Sequence, residues 1–191
     1  QKAVAPGEGA MAALLGLDFE AARAVAEEAA QGEVCQAAND NGGGQVVISG
    51  AKAAIDRAVE IAKAKGARRA VLLSVSAPFH CALMAPAAEA MREALAGVKI
   101  HAPKVPLYAN VHAAPVTDPQ MIYEGLVAQV TGTVRWRESV AAMAQAGVGL
   151  FVELGAGKVL TGLVKRIADQ AEGLACGSPD DIAVLKSRLG F

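Results

Sequence analysis

A histidine in the segment 75–84, VSAPFHCALM, has the best local setting for acid–base chemistry. His80 follows an apolar run typical of a strand and precedes a segment with the spacing of an amphipathic helix, with Pro78 two positions before it. A loop held between a strand and a helix can position a general base rigidly. The chain has 3 histidines, so His80 has few rivals for this role.

The serines and cysteines provide no evident nucleophile for such a base. Hydrolase-type acyl enzymes present serine within Gly-x-Ser-x-Gly, between a strand and a helix. Ser49 precedes Gly50, but Val47 stands where the first glycine belongs, and the other serines lack this setting as well. Cys81 adjoins His80, yet neighbouring side chains point in different directions, so a packed thiol is favoured. From the residues alone, a structural role for His80 stays open.

A glycine-rich segment at 155–158, GAGK, follows an apolar strand-like run. A Walker phosphate loop would need glycine at Val152 and serine or threonine at Val159. The dinucleotide fingerprint would need glycine or alanine at Leu160. The segment therefore indicates a tight turn between a strand and a helix rather than a phosphate site.

Composition excludes several classes of function. The 18 Lys+Arg balance 19 Asp+Glu and aromatic residues make up 4%, which leaves little for nucleic-acid binding. No apolar run approaches a membrane span, and no histidine or carboxylate spacing suggests a metal. Cys35, Cys81 and Cys176 form no CxxC pair, which is typical of a reduced, cytoplasmic chain. The sequence starts at Gln1 rather than at methionine, and its first residues do not resemble a signal peptide. We therefore expect this chain to be a piece of a larger protein.

The first part of the chain has the spacing of four strands and two helices. The pattern predicts strands at 10–15, 34–38, 45–49 and 69–75, the last one buried, and helices at 19–30 and 51–65. The order strand, helix, strand, strand, helix, strand is the split βαβ pattern of ferredoxin-like domains. It ends where the histidine loop begins.

The residue pattern in the second part of the chain predicts helices separated by strands. Helices are expected at 83–95, 119–130, 136–145, 158–170 and 180–189, and strands at 105–110 and 150–154. Strands separated by helices imply a parallel sheet. So few strands make a thin sheet, which predicts that part of the fold lies outside this chain.

Five segments together resemble the malonyl-CoA:acyl carrier protein transacylase family of bacterial fatty acid synthesis and the related acyltransferase domains of polyketide synthases. They are 6–13 (PGEGAMAA), 39–50 (NDN and QVVISG), 76–84 (SAPFHCALM), 134–136 (VRW) and 155–163 (GAGKVLTGL). The resemblance covers essentially the whole chain in the family's order. It implies an α/β fold with an α+β insert: a ferredoxin-like small subdomain at 1–75 and the C-terminal part of an α/β-hydrolase-like large subdomain at 76–191.

The family's N-terminal part, with its Gly-His-Ser-x-Gly elbow, has no counterpart in this sequence. By resemblance, His80 is the general base of a Ser–His pair that moves malonyl from coenzyme A to the phosphopantetheine thiol of acyl carrier protein. Family enzymes orient this histidine with a backbone carbonyl, and the matching residue is Gln129. No cofactor is implied, because malonyl-CoA and phosphopantetheine are substrates. The expected partners are acyl carrier protein, malonyl-CoA and the missing N-terminal segment.

Four further residues gain a substrate-binding role from the resemblance. Phe79 matches the phenylalanine of malonyl-selecting domains, where a ring beside the base would crowd an α-methyl group. Met11 would line the acyl pocket, and Asn39 and Asn41 would face the pantetheine. Without the family, these residues would be explained by packing and turn formation. Asp40 departs from the apolar or aromatic residue of many relatives.

The leading hypothesis is therefore an acyltransferase fragment that is inactive by itself. A non-catalytic ferredoxin-like module that binds a protein partner is the rival interpretation. A segment of a polyketide synthase acyltransferase is the third. An upstream reading frame carrying Gly-His-Ser-x-Gly would favour the enzyme over the module.

Overall fold

The computed structural model of the chain describes residues 3–190. Gln1, from which we expect a larger precursor, lies outside the described residues, as do Lys2 and Phe191. The chain divides into two compact units, residues 1–139 and 140–191. The elements are β1 Gly9–Leu15, α1 Phe19–Ala30, β2 Cys35–Asp40, β3 Gln45–Ala51, α2 Lys52–Ala64, β4 Arg69–Leu72, a 3-10 helix Ala82–Met84, α3 Ala85–Leu95, β5 Leu107–Ala109, β6 Ala114–Val116, α4 Pro119–Ala128, α5 Trp136–Gln145, β7 Leu150–Leu154, α6 Val159–Ile167, β8 Glu172–Cys176 and α7 Pro179–Leu189.

The first unit is built on a four-stranded antiparallel sheet with the order β2-β3-β1-β4. The predicted sequence of strands and helices over residues 10–75 is observed. Met11 lies opposite Ser49, and Ser49 lies opposite Gln36, so these three residues share one face of the sheet. The other face carries Leu14 and Ile48, which pack against α1 and α2.

Alanines let α1 and α2 pack closely on this sheet. Asp18 is the N-cap of α1, and its Oδ1 accepts a hydrogen bond from the Ala21 backbone N–H at 2.8 Å. Its inner face and that of α2 are lined by small side chains with little or no exposure: Ala22, Ala26, Ala29, Ala54, Ala58 and Ala62. The high alanine content is therefore a packing feature of this unit.

Two strand predictions differ from the structure. The strand expected to be buried at 69–75 ends at Leu72 and lies at the sheet edge with partly exposed side chains. The strand at 105–110 shortens to β5 and pairs antiparallel with β6, rather than joining a parallel sheet. The sequence gives no sign of β6, because it is three residues long and Pro115 cannot donate a ladder hydrogen bond.

The second unit contains the parallel pair β7 and β8, with α6 between them in the chain. The turn at 155–158 has Gly155 at φ 131° and Gly157 at φ 101°, backbone angles that favour glycine. Glu153 accepts hydrogen bonds from the backbone N–H and the hydroxyl of Thr161. These bonds hold the pKa of Glu153 below its ordinary value.

Across residues 3–190, every helix is too short or too polar to cross a bilayer.

Candidate active site

The imidazole of His80 is held by a backbone carbonyl. His80 lies between β4 and the 3-10 helix, and its Nδ1 is 3.0 Å from the backbone oxygen of Gln129. Because a carbonyl oxygen can only accept, Nδ1 must carry the hydrogen when this bond forms. The neutral ring then keeps a free lone pair on Nε2, which can take a proton from another group.

The backbone conformation of His80 is unusual. Its φ is 60°, in the left-handed region that non-glycine residues rarely adopt and that is enriched at active sites. Around it, Pro78 and Cys81 are buried, and the Cys81 Sγ donates to the Pro78 oxygen at 3.1 Å. The loop is therefore packed tightly enough to hold a strained residue.

Gln129 lies at the C-terminal end of α4, where its backbone N–H still donates to the Gly125 oxygen at 2.9 Å. Its side-chain Nε2 donates to the Gly132 oxygen at 2.9 Å and closes the following turn. A Cβ on Gly132 would lie 2.8 Å from the Ala128 oxygen, so only glycine fits this turn without a shift. The carbonyl, rather than the side chain, is the group that faces His80.

The strand β2 contacts both sides of the His80–Gln129 pair. On one side, Gln36 Oε1 accepts a hydrogen bond from the Ala82 backbone N–H at 2.7 Å. On the other, the Thr133 hydroxyl donates to the Ala37 oxygen at 2.8 Å. Val134 extends this attachment by pairing its backbone with β2. The histidine loop and the carbonyl loop are thus both anchored to one strand.

Phe79 and Met11 belong to the same apolar cluster. Met11 is buried with Ala38 and Val47, and the half-buried Phe79 packs against this group. Phe79 also packs against a second cluster that includes Met84. The structure therefore places two of the predicted substrate-binding residues in one apolar cluster, and one of them, Phe79, adjoins His80 in the chain.

Asn39 and Asn41 flank Asp40, whose buried carboxylate pairs with the half-exposed side chain of Arg137. Asn39 forms the bridge with Val134, and both amides are partly exposed. Between them, the buried carboxylate of Asp40 accepts from Arg137 Nε at 2.8 Å. Within residues 3–190, no hydrogen bond joins either amide to His80, so their relation to the pair runs through the backbone of β2.

A family model described as an acyl transferase domain matches residues 1–178. The chain belongs to this family. The malonyl CoA-acyl carrier protein transacylase of Haemophilus influenzae is 46% identical over 183 residues, which are 96% of this chain and 58% of the relative. The predicted mixed α/β class and the resemblance to this family are confirmed.

Solved structures of acyltransferases have the same fold. An acyl-carrier-protein-S-malonyltransferase from Bartonella henselae aligns with a TM-score of 0.95 at 53% identity, over 100% of this chain and 61% of that one. A malonyl-transacylase solved in complex with a type II PKS acyl-carrier protein aligns with a TM-score of 0.93 at 41% identity, over 98% and 61% of the two chains. The chain spans about three fifths of the length of these relatives.

A cavity of about 450 Å³ opens beside His80 in this acyltransferase-family chain. It lies between α1, β2 and the loop after Gln129, and it is lined by Phe19, Arg23, Ala26, Glu27, Ala30, Cys35, Gln36, Ala37, His80, Thr131 and Thr133. A volume of this size accommodates part of a small ligand. The imidazole is therefore not sealed inside the unit.

The cysteines show no sign of nucleophilic chemistry in this family member. All three are buried, free thiols. Burial raises the pKa of Cys35 to about 11, which suppresses the thiolate, and the Cys81 thiol bonds to a carbonyl. No group of three or more metal-binding side chains is found among residues 3–190.

Two residues around the site escaped the sequence interpretation. The sequence does not single out Gln36, because a polar residue on a strand predicts only an exposed side chain. Gly9 lies in a segment that carries the family resemblance, yet no pattern indicates its contact with Pro78. Both act through partners distant in sequence, which spacing rules cannot detect.

Proposed function

We propose that this chain is part of an acyltransferase that moves a malonyl group from coenzyme A to the phosphopantetheine thiol of an acyl carrier protein. The proposal rests on the distance of 3.0 Å between His80 Nδ1 and the Gln129 backbone oxygen. This arrangement leaves Nε2 free to act as a base. The names of the relatives support malonyl as the acyl group and acyl carrier protein as the acceptor.

In this mechanism, His80 moves one proton in each half-reaction. Nε2 takes the proton of a serine hydroxyl while the serine oxygen attacks the malonyl thioester carbon. The imidazolium then returns that proton to the coenzyme A sulfur as the carbon–sulfur bond breaks. In the second half-reaction, Nε2 takes the proton of the phosphopantetheine thiol, whose sulfur attacks the malonyl ester, and returns it to the serine oxygen.

The Gln129 carbonyl has two functions in this cycle. It fixes the tautomer with hydrogen on Nδ1, and its dipole stabilises the imidazolium that forms transiently. A neutral carbonyl stabilises that cation less than a carboxylate would. The protonated base therefore gives up its proton more readily to the leaving thiolate.

Phe79 and Met11 form the proposed wall of the acyl pocket. Their shared cluster supports a surface that an α-methyl group would crowd. Discrimination against one extra methyl group is worth about 1–3 kcal/mol in such pockets. Malonyl is then preferred over methylmalonyl by steric exclusion.

Asn39 and Asn41 are proposed to contact the amide groups of the pantetheine arm. Support comes from their partial exposure and from the attachment of β2 to the loop after Gln129.

In the same proposal, residues 1–75 form a ferredoxin-like small subdomain, and residues 76–191 belong to an α/β-hydrolase-like large subdomain. The first unit's antiparallel sheet supports the former assignment. A cytoplasmic location remains a prediction, compatible with three free cysteines.

An N-terminal segment that carries the nucleophile is proposed to complete the enzyme. The relatives extend well beyond the length of this chain. In the first unit, large apolar side chains are exposed to solvent at Leu72, Val75, Met91, Val98, Val105, Leu107, Met121 and Leu126. A further segment that packs on these side chains would remove their apolar surface from water. This chain joined to that segment is called the whole enzyme.

The test replaces His80 with alanine in the whole enzyme. Malonyl transfer should fall about 10²-fold or more, the usual contribution of a general base. His101→Ala, which removes an exposed loop imidazole, is the matched control and should leave the rate unchanged. The 191-residue chain alone should form no malonyl ester that survives denaturation. An undiminished rate for His80→Ala, or stable labelling of the chain alone, would refute the proposal.

A further inference from the structure

We propose that Gln36 is a positioning residue for His80, an inference that rests on the function proposed above. The 3-10 helix after His80 has no side-chain cap from Cys81. Gln36 Oε1 instead accepts the Ala82 backbone N–H at 2.7 Å, from a strand 46 residues earlier in the chain. The first N–H groups of a helix have no partner within it, so Gln36 supplies a cap from outside.

This cap secures a backbone that would otherwise relax. The left-handed conformation of His80, with φ 60°, is strained for a residue that carries a side chain. Ala82 is only two residues further along, so its anchor limits how far the loop can unwind. Without the Gln36 bond, the loop can relieve the strain by moving His80 away from the Gln129 carbonyl.

The other partner of His80 is fixed to the same strand. Ala37, the neighbour of Gln36, accepts from the Thr133 hydroxyl at 2.8 Å, and the Gln129 side chain closes the turn before Thr133. Adjacent residues of β2 therefore hold the loops that contribute the imidazole and the carbonyl. The separation of Nδ1 from the Gln129 oxygen is set by this strand.

Two substitutions remove the same hydrogen bond from opposite sides. Gln36→Met deletes the acceptor and keeps the side-chain length. Ala82→Pro deletes the donor at a first-turn position that tolerates proline, and Cys81, at φ −140° and ψ 171°, already has the extended conformation required before proline. Gln120→Met, which removes only an exposed bond to Glu124, is the matched control.

Each variant should lower kcat of the whole enzyme about tenfold, because small misplacements of a base act on the chemical step. Ala82 does not line the cavity beside His80, so Ala82→Pro should leave KM unchanged. In the double variant, kcat should fall no further than in the more affected single variant, since one bond is lost in all three. The Nδ1-bound proton of His80, identified by its absence in His80→Ala, should lose its hydrogen-bonded position in the NMR spectrum.

Several results would overturn the positioning role. They are a kcat within twofold of the wild type for both single variants, losses that multiply in the double variant, or a lower kcat with an unchanged Nδ1 proton signal. The proposed function has a separate test in the same series. If the wild-type whole enzyme transfers no malonyl, or if His80→Ala is fully active, that function fails rather than the role of Gln36.

Discussion

Gly9→Ala is expected to disturb the histidine loop from β1, at the start of the strand. Gly9 begins β1, and an added Cβ would lie 2.3 Å from Cγ and 2.5 Å from Cδ of Pro78. Carbon atoms pack at about 3.5–4.0 Å. Pro78 is fully buried, and its ring cannot rotate away as a flexible side chain could. The loop must therefore move by about 1 Å, starting two residues before His80.

The size of the effect follows from this displacement. Overpacking of a buried site costs about 1–3 kcal/mol, which corresponds to a loss of about 4–8 °C in Tm for a cost near 2 kcal/mol in a chain of this length. A displacement of about 1 Å at a catalytic group can cost about 10²-fold in rate. The rate of malonyl transfer by the whole enzyme should therefore fall by more than the loss of folded protein alone would produce.

The assay pairs thermal unfolding with malonyl transfer below the unfolding range. Gly97→Ala is the matched control, because a Cβ there meets nothing within 4 Å; both its Tm and its rate should be unchanged. If Gly9→Ala behaves like Gly97→Ala in both measurements, Pro78 does not transmit the displacement to His80, and the reasoning is refuted.

Two further predictions concern polar groups near the same sheet. Ser49→Ala should leave the free energy of unfolding unchanged or raise it by about 1 kcal/mol, because the buried Ser49 hydroxyl has no protein partner among residues 3–190; a clear loss of stability in chemical denaturation would contradict this. The hydrogen bond from Arg135, reinforced by its charge, holds the pKa of Glu138 below its ordinary 4.5. This carboxylate therefore stabilises the fold above that pH, and the contribution is lost as pH falls through the lowered pKa. Glu138→Gln should flatten the decline in Tm as pH falls below 4.5, whereas parallel curves would exclude the ion pair as a cause.

Elements with local signals could be predicted closely from the sequence. The helices at 19–30 and 136–145 and the strand at 150–154 have the bounds predicted for them. Asp18 caps the first of these helices, and apolar periodicity defines the rest. By contrast, β6 and β8 depend on pairing with β5 and β7, and neither has a distinctive pattern of its own. Their stability is a property of the partner strand.

The candidate site was only partly accessible to sequence reasoning. His80 has a recognisable loop setting, but Gln129 contributes a backbone carbonyl, which every residue type possesses. The pairing of these two residues was expected from family resemblance and not from residue chemistry. Gln36 acts on a backbone N–H 46 residues away, and no side-chain pattern records such a bond.

The edge strand β4 affects how copies of the chain associate in solution. Within residues 3–190, β4 pairs only with β1, so its outer edge presents free backbone donors and acceptors. Leu72 nearby is 51% exposed and Val75 is 42% exposed. An open edge beside apolar side chains is a template for another strand. At high protein concentration, edge-to-edge association of copies therefore competes with every other binding event at this edge, and a charged residue in place of Leu72 is the simplest means of suppressing it.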